Sequence, residues 1–183
     1  MNILPTQFSG LFILEPIAYT DARGYFFESY SQQKLLKAGI DIKFVQDNQS
    51  FSVRNVIRGL HYQAPPFAQT KLIQCLSGTI LDVVVDLRRS ESTFCKVFTI
   101  KLSSTDKKQL LIPKGFAHGF SVLSENATIM YKCDAYYNAS SERGIQYNDP
   151  SLSIDWIVDK QAAIVSAKDL VLPPIGALTQ FFE

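Results

Sequence analysis

The chain is short of histidine and of sulfur: two histidines, three cysteines and two methionines occur among 183 residues. Cys75, Cys95 and Cys133 are odd in number, widely spaced and form no C-x-x-C pair, so neither a disulfide framework nor a zinc knuckle is signalled. A reducing cytoplasm is the expected compartment. Charge of one sign is lacking too. With 18 Lys+Arg against 17 Asp+Glu the formal charge is +1, which provides no basic field for nucleic acid and no acidic tail. No apolar run approaches the roughly 18 residues of a membrane span, and the opening MNILPTQFSG has neither the basic nor the apolar region of a secretory signal. Repeats, low-complexity tracts and charge blocks are missing, and the eight prolines are scattered. The expectation is one domain over residues 1–183, cytoplasmic, without nucleic-acid or membrane partners. At 46% hydrophobic and 19% charged residues, long disorder is excluded.

What is there is mostly strand-like. Leu11–Pro16, Gly24–Tyr30, Phe44–Gln46, Lys71–Leu76, Thr79–Leu87, Phe94–Leu102, Gln109–Pro113 and Ala127–Tyr136 are β-branched or aromatic and bounded by turn formers. Ser77-Gly78 between two apolar runs predicts a hairpin turn. Only Ser31–Ala38, with Ser31 as N-cap and Gly39 after its end, reads as a clear helix, and a second short one is expected near Val165–Leu170. Many short strands without βαβ alternation predict an all-β jelly-roll barrel with a few short helices.

The two histidines stand in Arg58-Gly59-Leu60-His61-Tyr62-Gln63, just after a strand-like run, and in Pro113-Lys114-Gly115-Phe116-Ala117-His118-Gly119-Phe120. Each is either a hydrogen-bonded core histidine or part of a cavity wall. Pro113-x-Gly115-x-x-His118 resembles half of a cupin metal motif. The other half is missing, because His61-Tyr62-Gln63 stands where an H-x-H pair would be expected and no third histidine exists. Of metal sites only a 2-His-1-carboxylate arrangement remains open; the expectation is no metal, which leaves the histidines free for acid–base work.

Longer stretches are more specific. Asp21-x-Arg23-Gly24-x-Phe26-x-Glu28, Gln46-Asp47-Asn48, Arg58 to Gln63, Gln69-x-Lys71-Leu72, Asp82-Val83-x-Val85-Asp86-Leu87-Arg88, Gly115 to Phe120, Asn148-Asp149 and Ser166-Ala167-Lys168-Asp169 occur in this order. Together they resemble the dTDP-4-dehydrorhamnose 3,5-epimerase family from Leu14 to about Leu170. The departures are local: Ile157 follows Trp156 where the family usually has proline, and the segment from Trp156 to Ser166 is slightly lengthened.

The resemblance implies a cupin-like jelly roll that epimerises a dTDP-4-keto-6-deoxy sugar at C3 and C5, with no cofactor. The chemistry is coherent on its own. A C4 ketone acidifies the hydrogens on both neighbouring carbons, so epimerisation needs a base on one ring face, a donor at the carbonyl oxygen and an acid on the other face. Histidine, with an unperturbed pKa near ~6.5, suits the base. By resemblance the base is His61, its orienting carboxylate Asp169 and the acid Tyr131. From the residues alone, Tyr131 is either a packing aromatic or a donor; it shares one strand face with Ile129, Cys133 and Ala135. Lys71 is either a surface charge or, as the resemblance implies, an inward cation for the enolate oxygen.

Arg23, Glu28, Gln46, Asp47, Asn48, Arg58, His118, Glu142 and Lys168 match positions that hold the sugar and its diphosphate, and Tyr137 the one that stacks on thymine. Tyr137 read without the resemblance is as much a residue that caps the barrel rim. Arg88 and Arg89 read as solvated. The resemblance also implies a homodimer whose N-terminal strands cross between subunits. Rival readings are an epimerase of C3 or C5 alone, a sugar-binding jelly roll without catalysis, and a metal-dependent cupin oxygenase.

Overall fold

The computed structural model describes residues 1–159 and 161–183. Its strands are β1 (Asn2–Pro5), β2 (Phe12–Glu15), β3 (Ala18–Asp21), β4 (Gly24–Phe27), β5 (Gln46–Val53), β6 (Val56–Gln63), β7 (Lys71–Ser77), β8 (Thr79–Asp86), β9 (Val97–Ser103), β10 (Gln109–Ile112), β11 (Phe116–Val122), β12 (Asn126–Cys133), β13 (Glu142–Gly144) and β14 (Ile164–Val165). The α-helices are α1 (Gln32–Lys37) and α2 (Ala167–Leu170). One sheet has the order β1-β2-β10-β7-β12-β5 and the other β13-β6-β11-β8-β9, with β14 beside β6; β3 and β4 form a separate hairpin. This is the expected all-β, cupin-like jelly roll.

The two sheets close on a core that includes Ile73 and Cys75 from β7, Ile80 and Val84 from β8, Phe116 and Phe120 from β11, and Ile129 from β12. The second sheet is covered on its outer face as well, where Leu60, Leu81, Val83, Val85 and Ala117 pack under Ile145, Leu152, Trp156 and Ile175. Burial on both faces explains why β8 is an almost continuous apolar run rather than an alternating one. The outer face of the first sheet, through Leu14, Leu72 and Leu111, is covered by Leu35 of α1. That helix ends as its sequence predicts: Gly39 adopts φ +79°, its N–H donates to Leu36 O, and the Ile40 N–H donates to Leu35 O. Ser31 takes the N-cap position, but its side chain makes no capping hydrogen bond.

Three expectations need correction. Ser77-Gly78 does not close a hairpin: β7 and β8 belong to different sheets, and Gly78, at φ +79°, carries the chain from one to the other. The strand expected over Phe44–Gln46 begins at Gln46 and runs to Val53. His61 lies inside β6 rather than after a strand. In the lengthened segment between Trp156 and Ser166, Lys160 lies outside the described residues. Among the described residues no helix is long and apolar enough to cross a membrane.

Candidate active site

The site is built on an irregularity in β6. Val56 of β6 faces the interior core, and Arg58 lines the cavity, so strict alternation would turn Leu60 inward and His61 outward. The reverse is observed. Against β11, His118 pairs with His61 and Phe120 with Arg58, so three residue steps on β6 are matched by two on β11. That extra residue is a β-bulge, which inverts the facing of everything after it. Leu60 and Tyr62 join the outer cluster, and His61 lines the cavity. Gly59 supplies the backbone, with φ +116°.

His61 Nε2 lies 2.8 Å from Asp169 Oδ1, and Asp169 is 3% exposed. The second oxygen, Oδ2, accepts the Gly59 N–H at 3.1 Å. Asp169 sits in the first turn of α2, where the N-cap Ser166 Oγ accepts its backbone N–H at 3.1 Å. The bulge glycine and the helix cap thus fix one carboxylate from both sides. The carboxylate holds Nε2 as a donor, and Nδ1 is the nitrogen left for chemistry.

His118 repeats the arrangement. Its Nε2 lies 2.9 Å from Oδ2 of Asp82, which is fully buried, and Asp82 Oδ1 has no hydrogen-bond partner among the described residues. By resemblance Asp82 belongs to a matching stretch without an assigned role. The signal was present: a lone carboxylate in the apolar Thr79–Val85 run must find a partner when buried.

Lys71 at the start of β7 and Tyr131 on β12 complete the interior wall, with Lys71 Nζ 5.8 Å from the Tyr131 ring centroid. Lys71 is inward, not a surface charge. Burial pushes its pKa below the usual lysine range, against the opposing pull of Cys133, Asp82 and Glu142. Burial raises the Tyr131 phenol above its ordinary value, helped by Cys133 and Glu142 and opposed by Arg58. The four side chains His61, His118, Lys71 and Tyr131 line one cavity of about 530 Å³, together with Arg58, Lys168 and Asp169. Such a volume suits a small-molecule ligand.

An adjoining recess of about 150 Å³ shares His61, Lys71 and Tyr131 and adds Gln46, Asn48, Tyr137 and Glu142. Glu142 Oε2 accepts from Tyr137 Oη and from Lys168 Nζ, each at 2.7 Å. Burial works against its charge, but these two bonds prevail and hold its carboxyl below the usual range. Arg58 is braced by its Nε donating to Ser52 Oγ at 3.0 Å.

Three expected ligand residues lie outside the cavity and its recess in this chain. Asp47 pairs across strands with Lys132 at 3.0 Å, while its neighbours Gln46 and Asn48 line the recess. Arg23, on the β3–β4 hairpin, pairs with Asp21 at 2.6 Å, and Glu28 pairs with Lys34 at 2.7 Å. Arg88 is not solvated: it pairs with buried Asp86 at 2.7 Å and lies over the Phe116 ring. Arg89 lies over Phe181. Among the described residues no three His, Cys, Asp or Glu side chains are grouped to hold a metal ion.

A sequence model described as dTDP-4-dehydrorhamnose 3,5-epimerase matches residues 5–176. The dTDP-4-dehydrorhamnose 3,5-epimerase of Shigella flexneri is 46% identical over 171 residues, covering 93% of each chain. A crystal structure of the same-named enzyme from Elizabethkingia anophelis superposes with a TM-score of 0.92 at 45% identity, covering 96% of this chain and 97% of that one. A dTDP-6-deoxy-D-glucose-3,5-epimerase from Legionella pneumophila in complex with dTDP-4-keto-L-rhamnose gives a TM-score of 0.92 at 44% identity, over 97% and 94% of the two chains. Sequence likeness over nearly the whole length and likeness of fold agree with the motifs, and the chain belongs to the dTDP-4-dehydrorhamnose 3,5-epimerase family.

Proposed function

We propose that this chain converts dTDP-4-keto-6-deoxyglucose to dTDP-4-keto-L-rhamnose, inverting C3 and C5 without a redox cofactor or metal ion, in dTDP-L-rhamnose biosynthesis. The observation that carries the reading is the 2.8 Å His61–Asp169 pair in a cavity also lined by Tyr131 and Lys71. His61 stands on β6 of one sheet and Tyr131 on β12 of the other. A sugar ring between them presents one face to a base and the other to an acid, which is the geometry that inversion requires.

His61 Nδ1 removes the proton next to the ketone, and Asp169 stabilises the imidazolium. Lys71 donates to the enolate oxygen as charge develops there; its lowered pKa reflects the low-dielectric setting in which such a donor is most effective. Tyr131 keeps its proton at neutral pH and delivers it to the carbanion from the other side. The same groups serve C3 and C5 because both carbons flank one ketone. Arg58, Lys168, Glu142, Gln46, Asn48 and His118 hold the sugar and diphosphate, and Tyr137 stacks on the base.

The functional unit is a cytoplasmic homodimer, each chain forming one domain over residues 1–183. The β3–β4 hairpin supports this, since it leaves Tyr19, Tyr25 and Phe26 exposed, an apolar surface that a partner would cover. Arg23 and Glu28 would then serve the neighbouring subunit's site. A fully active monomer in sedimentation at assay concentration would overturn this part.

The test of the reaction is incubation with dTDP-4-keto-6-deoxyglucose in D2O, followed by NMR. Label should enter at both C3 and C5. Label at one carbon alone identifies a mono-epimerase, and none at either overturns the reading.

A further inference from the structure

Gln63 closes the motif that carries His61 and lines the same recess, yet among the described residues it hydrogen-bonds to neither His61 nor Asp169, and it has no role in the chemistry above. It is 5% exposed, and both ends of its amide are occupied. Its Oε1 accepts the Asn138 N–H at 2.6 Å. Its Nε2 donates to Phe67 O at 2.7 Å and to Tyr136 O at 3.3 Å. The residue between those two tethered peptide groups is Tyr137. The Tyr137 N–H donates in turn to Gln46 Oε1 at 3.1 Å, and its hydroxyl is held by Glu142. Glu142 is the cross-strand backbone partner of Gln63 on β13.

This concentration of bonds is needed because Tyr137 lies in irregular backbone beyond the end of β12, with no strand ladder to fix it. An aromatic platform on a loose loop must be ordered when the ligand binds, and that cost weakens affinity. We infer that Gln63 is a positioning residue, a two-ended amide clamp that pre-forms the Tyr137 platform for the nucleotide base and links it to the strand bearing His61. The clamp rests on the reading of Tyr137 as the base-stacking residue. Glutamine suits the position because its carboxamide carries a separate acceptor oxygen for the Asn138 N–H and a two-proton donor nitrogen for the carbonyls of Phe67 and Tyr136. Leucine has neither function, and a carboxylate would accept from Asn138 but oppose the carbonyl oxygens of Phe67 and Tyr136.

The experiment compares wild type, Gln63→Leu and the nearly isosteric Gln63→Glu, each alone and combined with Tyr137→Ala, using dTDP as the probe in calorimetry. Each Gln63 change should weaken dTDP binding by about tenfold, the scale of one or two buried hydrogen bonds. KM for the dTDP-sugar should rise in parallel, with kcat within about twofold. With Tyr137→Ala already present, either change should cost less than about a further twofold, because the platform it orders is gone. A fall in kcat at unchanged dTDP affinity, or full additivity with Tyr137→Ala, overturns the inference. Amide hydrogen exchange at Asn138, measured without ligand, tests the clamp independently of substrate: it should accelerate in Gln63→Leu, and an unchanged rate overturns the clamp. Wild-type protein that binds no dTDP would defeat the functional reading instead, leaving the exchange measurement to decide on the clamp.

Discussion

Gly59 and Gly119 meet across β6 and β11 with no room for a side chain on either. A Cβ on Gly59 would lie 2.6 Å from Gly119 Cα, and one on Gly119 would lie 2.6 Å from Arg58 O. This contact brings the strands together at the bulge, where His61 and His118 are register partners and Gly59 N–H reaches Asp169. The obstacle in both cases is backbone, which cannot rotate away. Gly119→Ala should therefore destabilise the fold by about 2–3 kcal/mol and lower activity in the refolded fraction, since relief requires moving the strand that aims His61. Urea unfolding monitored by Trp156 fluorescence measures it. A shift below about 0.5 kcal/mol would show that the strands part freely and that the contact is incidental.

Asp169→Asn is nearly isosteric, and its carbonyl oxygen can still accept the Gly59 N–H. The amide nitrogen then faces His61 Nε2 and favours the tautomer with its proton on Nδ1, so the nitrogen facing substrate loses its lone pair. The charge that stabilises the imidazolium is lost as well. A fall in kcat of about 10³–10⁴ is expected with a folded protein, following the behaviour of base–orienter pairs in general. Circular dichroism together with NMR rate measurements checks it; a near-normal rate removes Asp169 from the mechanism.

Lys71→Met should make the protein more stable and less active. Burial lowers the Lys71 pKa from the ordinary 10.5 despite the nearby Cys133, Asp82 and Glu142. Well below the folded-state pKa, lysine is charged in both states and the fold bears the whole desolvation cost. As pH rises through that pKa toward 10.5 the folded protein binds fewer protons than the unfolded chain, so the cost is relieved. The gain from methionine is expected to be present at pH 7 and to shrink at alkaline pH, with kcat lower by about 100-fold or more for want of a donor at the enolate oxygen. Denaturant midpoints at pH 7 and 9.5 test the sign: a gain that grows with pH contradicts it.

The sequence showed the scaffold more readily than the site, for a physical reason. β8 was legible because both of its faces are buried and its residues are mostly Ile, Leu and Val. β5 was missed beyond Gln46 because the face it turns inward consists of Gln46, Asn48, Ser50 and Ser52, polar residues that suit a sugar-sized cavity and erase the apolar alternation. β6 was obscured by its own bulge. The His61–Asp169 pair spans 108 positions and leaves no local trace; only the resemblance supplied it. The His118–Asp82 pair was within reach of burial reasoning, since an isolated carboxylate in β8 needs a partner. Tyr131 shares one face with Ile129 by plain alternation along β12, and that face lines the cavity.

Tyr131→Phe separates proton removal from inversion. The change deletes one oxygen that makes no hydrogen bond among the described residues, and the ring remains to pack beside Lys71. Stability should change by less than about 1 kcal/mol. His61, on the opposite sheet, can still deprotonate the substrate, and the enolate can still recover a proton from the same side after His61 exchanges with solvent. In D2O, deuterium should therefore enter the recovered substrate while formation of the inverted product falls by about 10²–10³, the scale of a lost general acid. Because burial raises the phenol pKa, wild-type inversion should not decline through loss of this proton until pH exceeds the ordinary tyrosine value of 10.0. A tyrosine that merely packs would leave both rates unchanged in the variant. A non-catalytic binding domain would show no exchange even in the wild type. Normal inversion by Tyr131→Phe would transfer the acid's role to water or to another residue of the cavity.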